Sequence, residues 1–319
     1  MTTATATRTT KTGPIDKWYA NATVRQSPRI IVPDDSKGEY LFPKSRQILS
    51  DHPLVAAKGV DVVNYVLAQS AYQYMYEIGL LETRFVIDCG LNIVNNVIQG
   101  ATESEKLDAL TIVIDEGYHA HVALDFIIQM KTITNINPIE VPETNGNLSA
   151  VHRAMERLPT NVRDDFQLIS VTIAEHTLTK DLISIGKEKD ATRTFTQVMT
   201  DHVSDEGRHA NYFARLMSAH WERMPEEHRV TIGTMLPAYL DDYLAGDENR
   251  EFDRKILSAA GFSETEIAEV IADTNTQYLE NLRSYVTVTK KNLVRLLKRI
   301  GVLDHQPTQS AFIEHGIAL

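Results

Sequence analysis

The sequence predicts an all-α protein with a helical bundle core, additional C-terminal helices and an extended N-terminal arm. Three observations carry this reading. Gly and Pro are sparse, 15 and 11 in 319 residues, and long stretches lack turn signals. Hydrophobic residues make up 43% of the chain, enough to build a real core. Two of the long helical stretches carry nearly the same hexapeptide, with Glu and His three residues apart.

In chain order, Met1 to Thr12 reads as a disordered lead-in, rich in Thr and Ala and without the apolar run of a secretory signal. Residues 13–52 carry Pro14, Pro28, Pro33 and Pro43 and read as an extended arm with little regular structure, wrapped on the domain surface. The helical domain spans 53–303. Val55 to about Ile98 reads as one long helix with a kink at Gly79 or Gly90. A second runs from about Ser104 to Lys131, opened by the cap signal Thr102-Glu103-Ser104-Glu105. A loop follows over 133–148, then a short helix from Leu148 to Arg157. The third and fourth long helices run from about Asn161 to Gly186 and from about Ala191 to Glu222. Pro225 and Pro237 punctuate a further helical section to about Tyr243. Residues 264–300 read as a short helix followed by a longer one, and 304–319 as a C-terminal tail. No Gly/Ser-rich linker divides the chain.

The formal net charge of −11 repels phosphate backbones and argues against nucleic acid as a partner. No apolar run approaches a membrane span, so no membrane role is expected. The one cysteine, Cys89, sits in the apolar run Phe85 to Val94 and reads as a buried small hydrophobe; a cytoplasmic location fits it.

The repeat carries the chemistry. Residues 115–120 read Asp-Glu-Gly-Tyr-His-Ala and residues 205–210 read Asp-Glu-Gly-Arg-His-Ala. In each copy Glu and His share one helix face. Each copy also has a glutamate in apolar surroundings on the preceding helix, Glu82 for Glu116 and His119, Glu175 for Glu206 and His209. Two such hairpins packed face to face bring four carboxylates and two imidazoles to one point, the ligand set of a ferritin-like di-iron or di-manganese bundle. Hard carboxylates suit oxidised metal, and each His adds a neutral nitrogen. A lone Glu-x-x-His is usually a solvated face. The doubled pattern differs because carboxylates do not sit in apolar helix faces without a partner.

Asp115 and Asp205 precede the ligand glutamates. They can accept the ring N–H of the ligand histidine from the other half; a surface or capping role is the alternative. Gly117 and Gly207 read either as sites of close helix approach or as room for a bound oxygen species. His202 falls on the face of Glu206 and His209, one turn away, and reads as a third nitrogen ligand rather than a core histidine. His121 and His176 point elsewhere, and His152, His220, His228, His305 and His315 read as surface residues.

The combination Glu82, Glu116-x-x-His119, Glu175 and His202-x-x-x-Glu206-x-x-His209 resembles the di-iron N-oxygenases of the p-aminobenzoate N-oxygenase and arylamine oxygenase type, over about residues 50–300. The start His52-Pro53-Leu54 resembles the family too and favours Glu82 over Glu77 as the ligand. The resemblance implies two iron ions cycling between Fe2+ and Fe3+, O2 as co-substrate, and oxygen insertion at an amine nitrogen to give a hydroxylamine and, in some members, nitroso and nitro products. It also implies an external electron donor, since the chain has no dinucleotide loop and no cysteine set for an Fe–S cluster. A homodimer and a carrier protein are further expected partners.

In that family an arginine of the C-terminal helix is expected to hold a benzoate carboxylate. Counting back from Gly301 places the matching position at Val288, with Arg283, Lys290, Lys291 and Arg295 as alternatives. An apolar residue there implies a substrate without a free carboxylate, either a tethered amino acid or a neutral arylamine. Three other functions compete; one, a radical-generating reductase subunit, needs a tyrosine near the metals, and the available Tyr118 reads as packing instead. A di-iron desaturase or C–H hydroxylase has six ligands and no use for His202, and a non-catalytic ferritin-like metal protein has no use for the long C-terminal part.

Overall fold

The computed structural model describes residues 13–33, 40–140 and 143–318; the lead-in Met1 to Thr12 lies outside them. Two short helices, α1 (Pro14–Asn21) and α2 (Thr23–Gln26), open the described chain. α3 (Pro53–Ala57) and α4 (Val60–Leu81) follow, then a single π-helical stretch, Glu82–Val86, and α5 (Ile87–Val94). The rest comprises α6 (Glu103–Thr134), α7 (Gly146–Arg157), α8 (Arg163–Ile185), α9 (Arg193–Arg223), α10 (Glu226–Tyr243), α11 (Asp247–Ala259), α12 (Glu264–Arg299) and α13 (Gln306–Glu314). No strand occurs among the described residues, and no helix among them is long and apolar enough to cross a membrane.

The bundle is made by α4–α5 against α6 and by α8 against α9. Local chemistry starts and stops these helices. Thr102 and Glu105 form a reciprocal capping box at α6, and Asn135 ends that helix in the left-handed conformation. α8 is its central member: every residue from Phe166 to Glu175 is buried, as a helix covered on all sides requires. The bundle interior consists of two apolar plugs with a polar layer between them. On α4 one plug ends at Ile78 and the other begins at Leu81; on α6 the gap runs from Ile112 to Ala123, on α8 from Ala174 to Leu182, and on α9 from Met199 to Tyr212. The buried acids and histidines of the repeat fall in that gap.

Several expectations are corrected. The first long helix is broken at Gly59, which adopts φ +98°, so α3 is separate from α4. Its irregularity is the π turn beginning at Glu82, not a kink at Gly79 or Gly90. Gly90 instead permits close packing, since a Cβ there would lie 2.8 Å from Val113 Cγ2. The arm is not merely extended: α1 and α2 dock on α6 and α9. The stretch 264–300 is one continuous helix, because nothing between the Ser263/Glu266 capping box and Gly301 interrupts it. The expected tail contains α13, which packs on α10 with Thr308 and Phe312 fully buried. Gly233 makes that contact possible, since a Cβ there would lie 1.9 Å from Thr308 Oγ1. His220 is buried rather than superficial, and with His228 it holds Asp165.

Candidate metal centre

Each half of the bundle places its groups through helix periodicity. Glu116 and His119 lie one turn apart on α6; His202, Glu206 and His209 occupy successive turns of one face of α9. Glu175 projects from α8, and Glu82 begins the π turn, a helical irregularity frequent at functional sites. All seven side chains are buried and meet at one place. His202 Nε2 lies 2.8 Å from Glu82 Oε1 and 3.1 Å from Glu206 Oε1. His209 Nδ1 lies 2.8 Å from Glu116 Oε1, 3.3 Å from Glu206 Oε1 and 4.0 Å from Glu175 Oε2. His119 Nδ1 lies 3.1 Å from Glu116 Oε2. The donor atoms form two groups, Glu82/Glu116/His119/His202 and Glu116/Glu175/Glu206/His209, each with its atoms within 4.8 Å of one another. Glu116 belongs to both.

These donors fit metal. Both oxygens of Glu82, Glu175 and Glu206, with Glu116 Oε1, His202 Nε2 and His209 Nδ1, are buried and have no hydrogen-bond partner despite their short mutual distances. Orphaned carboxylates this deeply buried are very unfavourable unless a cation joins them. The electrostatics divide the four acids: against burial, the neighbouring histidines hold Glu116 and Glu206 below the usual carboxylate range, while the other two are raised. Burial, then the charges of Glu206 and Glu116, pushes the Glu175 carboxyl well above the usual carboxylate range. Burial raises Glu82 to about 7, against the pull of His202. Four carboxylates this close cannot all ionise without positive charge between them.

Around this set lies a cross-over of aspartates. His209 Nε2 is 3.1 Å from Asp115 Oδ2 of the other half, and His119 Nε2 is 3.3 Å from Asp205 Oδ2. A ring that donates to aspartate through Nε2 turns its Nδ1 lone pair inward. Sequence reasoning missed three further groups here. Arg208 Nη2 donates to Asp115 (2.9 Å) and Asp205 (2.7 Å), tying the halves together. Trp18 Nε1 donates to Asp115, and Thr23 donates to Asp205. The signal for Arg208 was present, since it is the one position at which the two hexapeptides differ. Gly117 and Gly207, by contrast, leave open space around an added Cβ. They face outward, and among the described residues of this chain no other element approaches either one.

A cavity of about 110 Å³ is lined by chain neighbours of Glu82 and Glu175, though not by those two glutamates themselves. Ile78 and Leu81 line it one turn and one residue before Glu82, and Ala174, Thr177 and Leu178 flank Glu175. The polar part of its wall is Glu77, Asp181, Asn145, Asn147, Tyr74, Tyr243 and Tyr285. Val288 is not there; it is 58% exposed on α12, and Tyr285, nearly one turn earlier, is the α12 residue at the cavity. Among the described residues, no arginine or lysine lines it. Arg46 pairs with Asp181 at 3.4 Å without joining the lining, and Lys290 pairs with Asp241.

The chain matches the family model of the p-aminobenzoate N-oxygenase AurF over residues 27–300, and it belongs to that family. No curated protein was found to match it. Membership makes the protein a di-iron monooxygenase, an N-oxygenase that uses O2 and an amine and draws on an outside source of electrons.

Proposed function

We propose that this N-oxygenase converts an amine lacking a free carboxylate to its hydroxylamine, and that the seven buried side chains hold its two irons. One iron would take Glu82, Glu116, His119 and His202; the other would take Glu116, Glu175, Glu206 and His209. When bound, the di-iron pair supplies reductive activation of O2 and transfer of one oxygen atom to nitrogen. The balance is R–NH2 with O2, an electron pair and two protons giving R–NHOH and water. The chain's residues supply the setting. Asp115 and Asp205 hold the His209 and His119 rings with Nδ1 inward. The apolar plugs above and below keep water from the polar layer.

The observation that carries the substrate reading is the wall of the cavity lined by chain neighbours of Glu82 and Glu175. It offers two carboxylates, three phenols and two amides and, among the described residues, no cation. A benzoate carboxylate there would meet phenol and amide donors but no cation among the described residues, and it would face Glu77 and Asp181, an unfavourable setting for a further anion. An amine without that group, such as a neutral arylamine or an amino acid tethered as a thioester, avoids this. A carrier protein bearing the thioester would meet the exposed basic run Lys291, Arg295, Lys298 and Arg299 on α12, the helix that carries Tyr285. We place the reaction in the cytoplasm, in keeping with the single buried thiol of Cys89.

We also infer a homodimer. Leu107, Leu110, Ile114, Leu124 and Ile128 are exposed on α6 at alternating steps of the heptad, on one stripe with Gly117 at its middle. The stripe is nearly symmetric about Gly117, as an antiparallel pairing with a second copy requires.

The substrate reading is tested by turnover of free p-aminobenzoate, its ethyl ester and a carrier-bound aminoacyl thioester. The ester or thioester should outpace the free acid. Equal or faster turnover of the free acid would refute it.

A further inference from the structure

α1 and α2 lie N-terminal to the family match, which begins at residue 27, and nothing in the family relation assigns them a role. Their placement is specific. Over residues 14–26 only Trp18, Ala22 and Thr23 are buried. Two of these three bond to the aspartates behind the metal centre. Trp18 Nε1–H reaches both oxygens of Asp115, at 2.9 and 3.1 Å. The Thr23 backbone N–H reaches Asp205 Oδ2 at 3.1 Å, and its hydroxyl donates to the same oxygen. Arg25 stacks over the Trp18 and Tyr19 rings at 5.4 and 5.0 Å, holding the turn between the two helices. Each aspartate thus accepts from one ring of the metal centre, from Arg208 and from the N-terminal segment.

A carboxylate held by donors from three separate residues has one orientation, and the imidazole it holds inherits that orientation. Without the segment, Asp115 and Asp205 keep Arg208 and the rings but are free to pivot. The segment, in turn, has few other buried anchors. Its further ties to α6, Arg29 to Asp125 and the Val32 N–H to Gln129, lie downstream at more exposed positions.

We propose that α1–α2 is a clamp on the di-iron site. Trp18 and Thr23 are positioning residues that set the His119 and His209 rings through Asp115 and Asp205, and iron loading and docking of the segment reinforce each other. Reciprocity follows from linkage: if docking raises iron affinity, bound iron must favour docking by the same factor. The inference rests on the reading that His119 and His209 bind iron.

The test uses the full chain loaded with ferrous iron under anaerobic conditions, with release to a coloured chelator followed in time. Trp18→Phe, which keeps the ring and loses the donor, and Thr23→Val should each release iron about tenfold faster than wild type. Thr23→Ser, which restores the hydroxyl, should return the wild-type rate; loss of mere packing would not be rescued this way. In the unmodified protein, hydrogen exchange over residues 14–26 should slow several-fold when ferrous iron is added, a readout that needs no variant. Wild-type release from both Trp18→Phe and Thr23→Val, or exchange indifferent to iron, overturns the clamp. His209→Ala separates the two levels. If it retains all its iron, the ligand reading has failed. If it loses iron while Trp18→Phe and Thr23→Val behave as wild type, only the clamp has failed.

Discussion

The two hairpins of the bundle carry hexapeptides that differ at one residue, and that residue is used in opposite ways. In α6 it is Tyr118, which turns outward and lines a surface cavity of about 260 Å³ with Arg29, His121 and Asp125. In α9 it is Arg208, which turns inward and bonds to both aspartates. The shared residues give each hairpin the same inward pair of Glu and His and the same outer aspartate. The differing residue decides which hairpin joins the halves. The second hairpin also adds His202, whereas the first adds the π turn that starts at Glu82. A repeat can therefore define a metal site while its exceptions define how the site is held.

The comparison is broken most severely at Glu116, the carboxylate common to both donor groups. Glu116→Ala should abolish N-oxygenation, by at least about a thousandfold, and deplete iron from both positions rather than one. Iron analysis beside an activity assay checks this; a variant holding one full equivalent would show that Glu116 serves a single metal.

Next comes the differing residue itself. Arg208→Gln should lower iron affinity about 10–100-fold, the effect expected of an outer partner of metal-holding groups. Tyr118→Phe should leave affinity as it is. Competitive chelator titrations on both variants sharpen the contrast, and equal losses in the two would remove it.

The hairpins also differ in how their far ends are tied. The first uses neutral donors, with Gln69 and Tyr72 bonding to the carbonyls of Asn137 and Ile136. The second uses Asp165 of α8, which accepts from His220 and His228 at 2.6 and 2.7 Å. Burial works against the Asp165 carboxylate, but these two bonds hold it below the usual range. A lowered carboxyl contributes stability that is present above its unfolded pKa, about 3.9, and lost as pH falls through its folded value. Asp165→Asn should cost about 2 kcal/mol near neutral pH, and this deficit should begin to shrink below about pH 4 and disappear once pH has fallen through the lower folded value. The deficit of Gln69→Ala should stay flat over the same range. Chemical denaturation across pH distinguishes the two patterns.

The smallest effect concerns the matched glycines. Gly207→Ala should stabilise the protein by up to about 1 kcal/mol, the ordinary helix-propensity gain at an outward position. Gly117→Ala should gain less, because it sits mid-stripe on the face inferred to pair with a second copy. Equal gains, with an unchanged dimer constant in analytical ultracentrifugation, would argue that α6 does not form the interface.

The long helices were legible because their signals are local: the Thr102/Glu105 box, the Ser and Thr caps, and runs without Pro or Gly. The grouping of the seven acids and histidines was legible because a repeat with helical spacing fixes faces before any tertiary contact is known. What escaped depends on distant partners. Trp18 meets Asp115 across 97 residues and Thr23 meets Asp205 across 182, so two short helices in a proline-bearing arm gave no sign of their anchor. α13 is held by Thr308 against Gly233, a contact invisible in the local composition. For another reason, Val288 lies outside the cavity lined by Tyr285. Alignment by one glycine is uncertain by a turn, and a turn on α12 separates an exposed valine from the tyrosine at the cavity.

The central claim is that the seven buried side chains hold two irons in two overlapping groups. Anaerobic ferrous-iron titration of the wild type, Glu82→Ala and Glu175→Ala tests it most directly. The account predicts two irons per chain in the wild type and one in each variant, because each substitution strips a ligand from a different group while Glu116 remains. A well-folded wild-type protein that takes no more than one iron, or variants that both keep two, would contradict it.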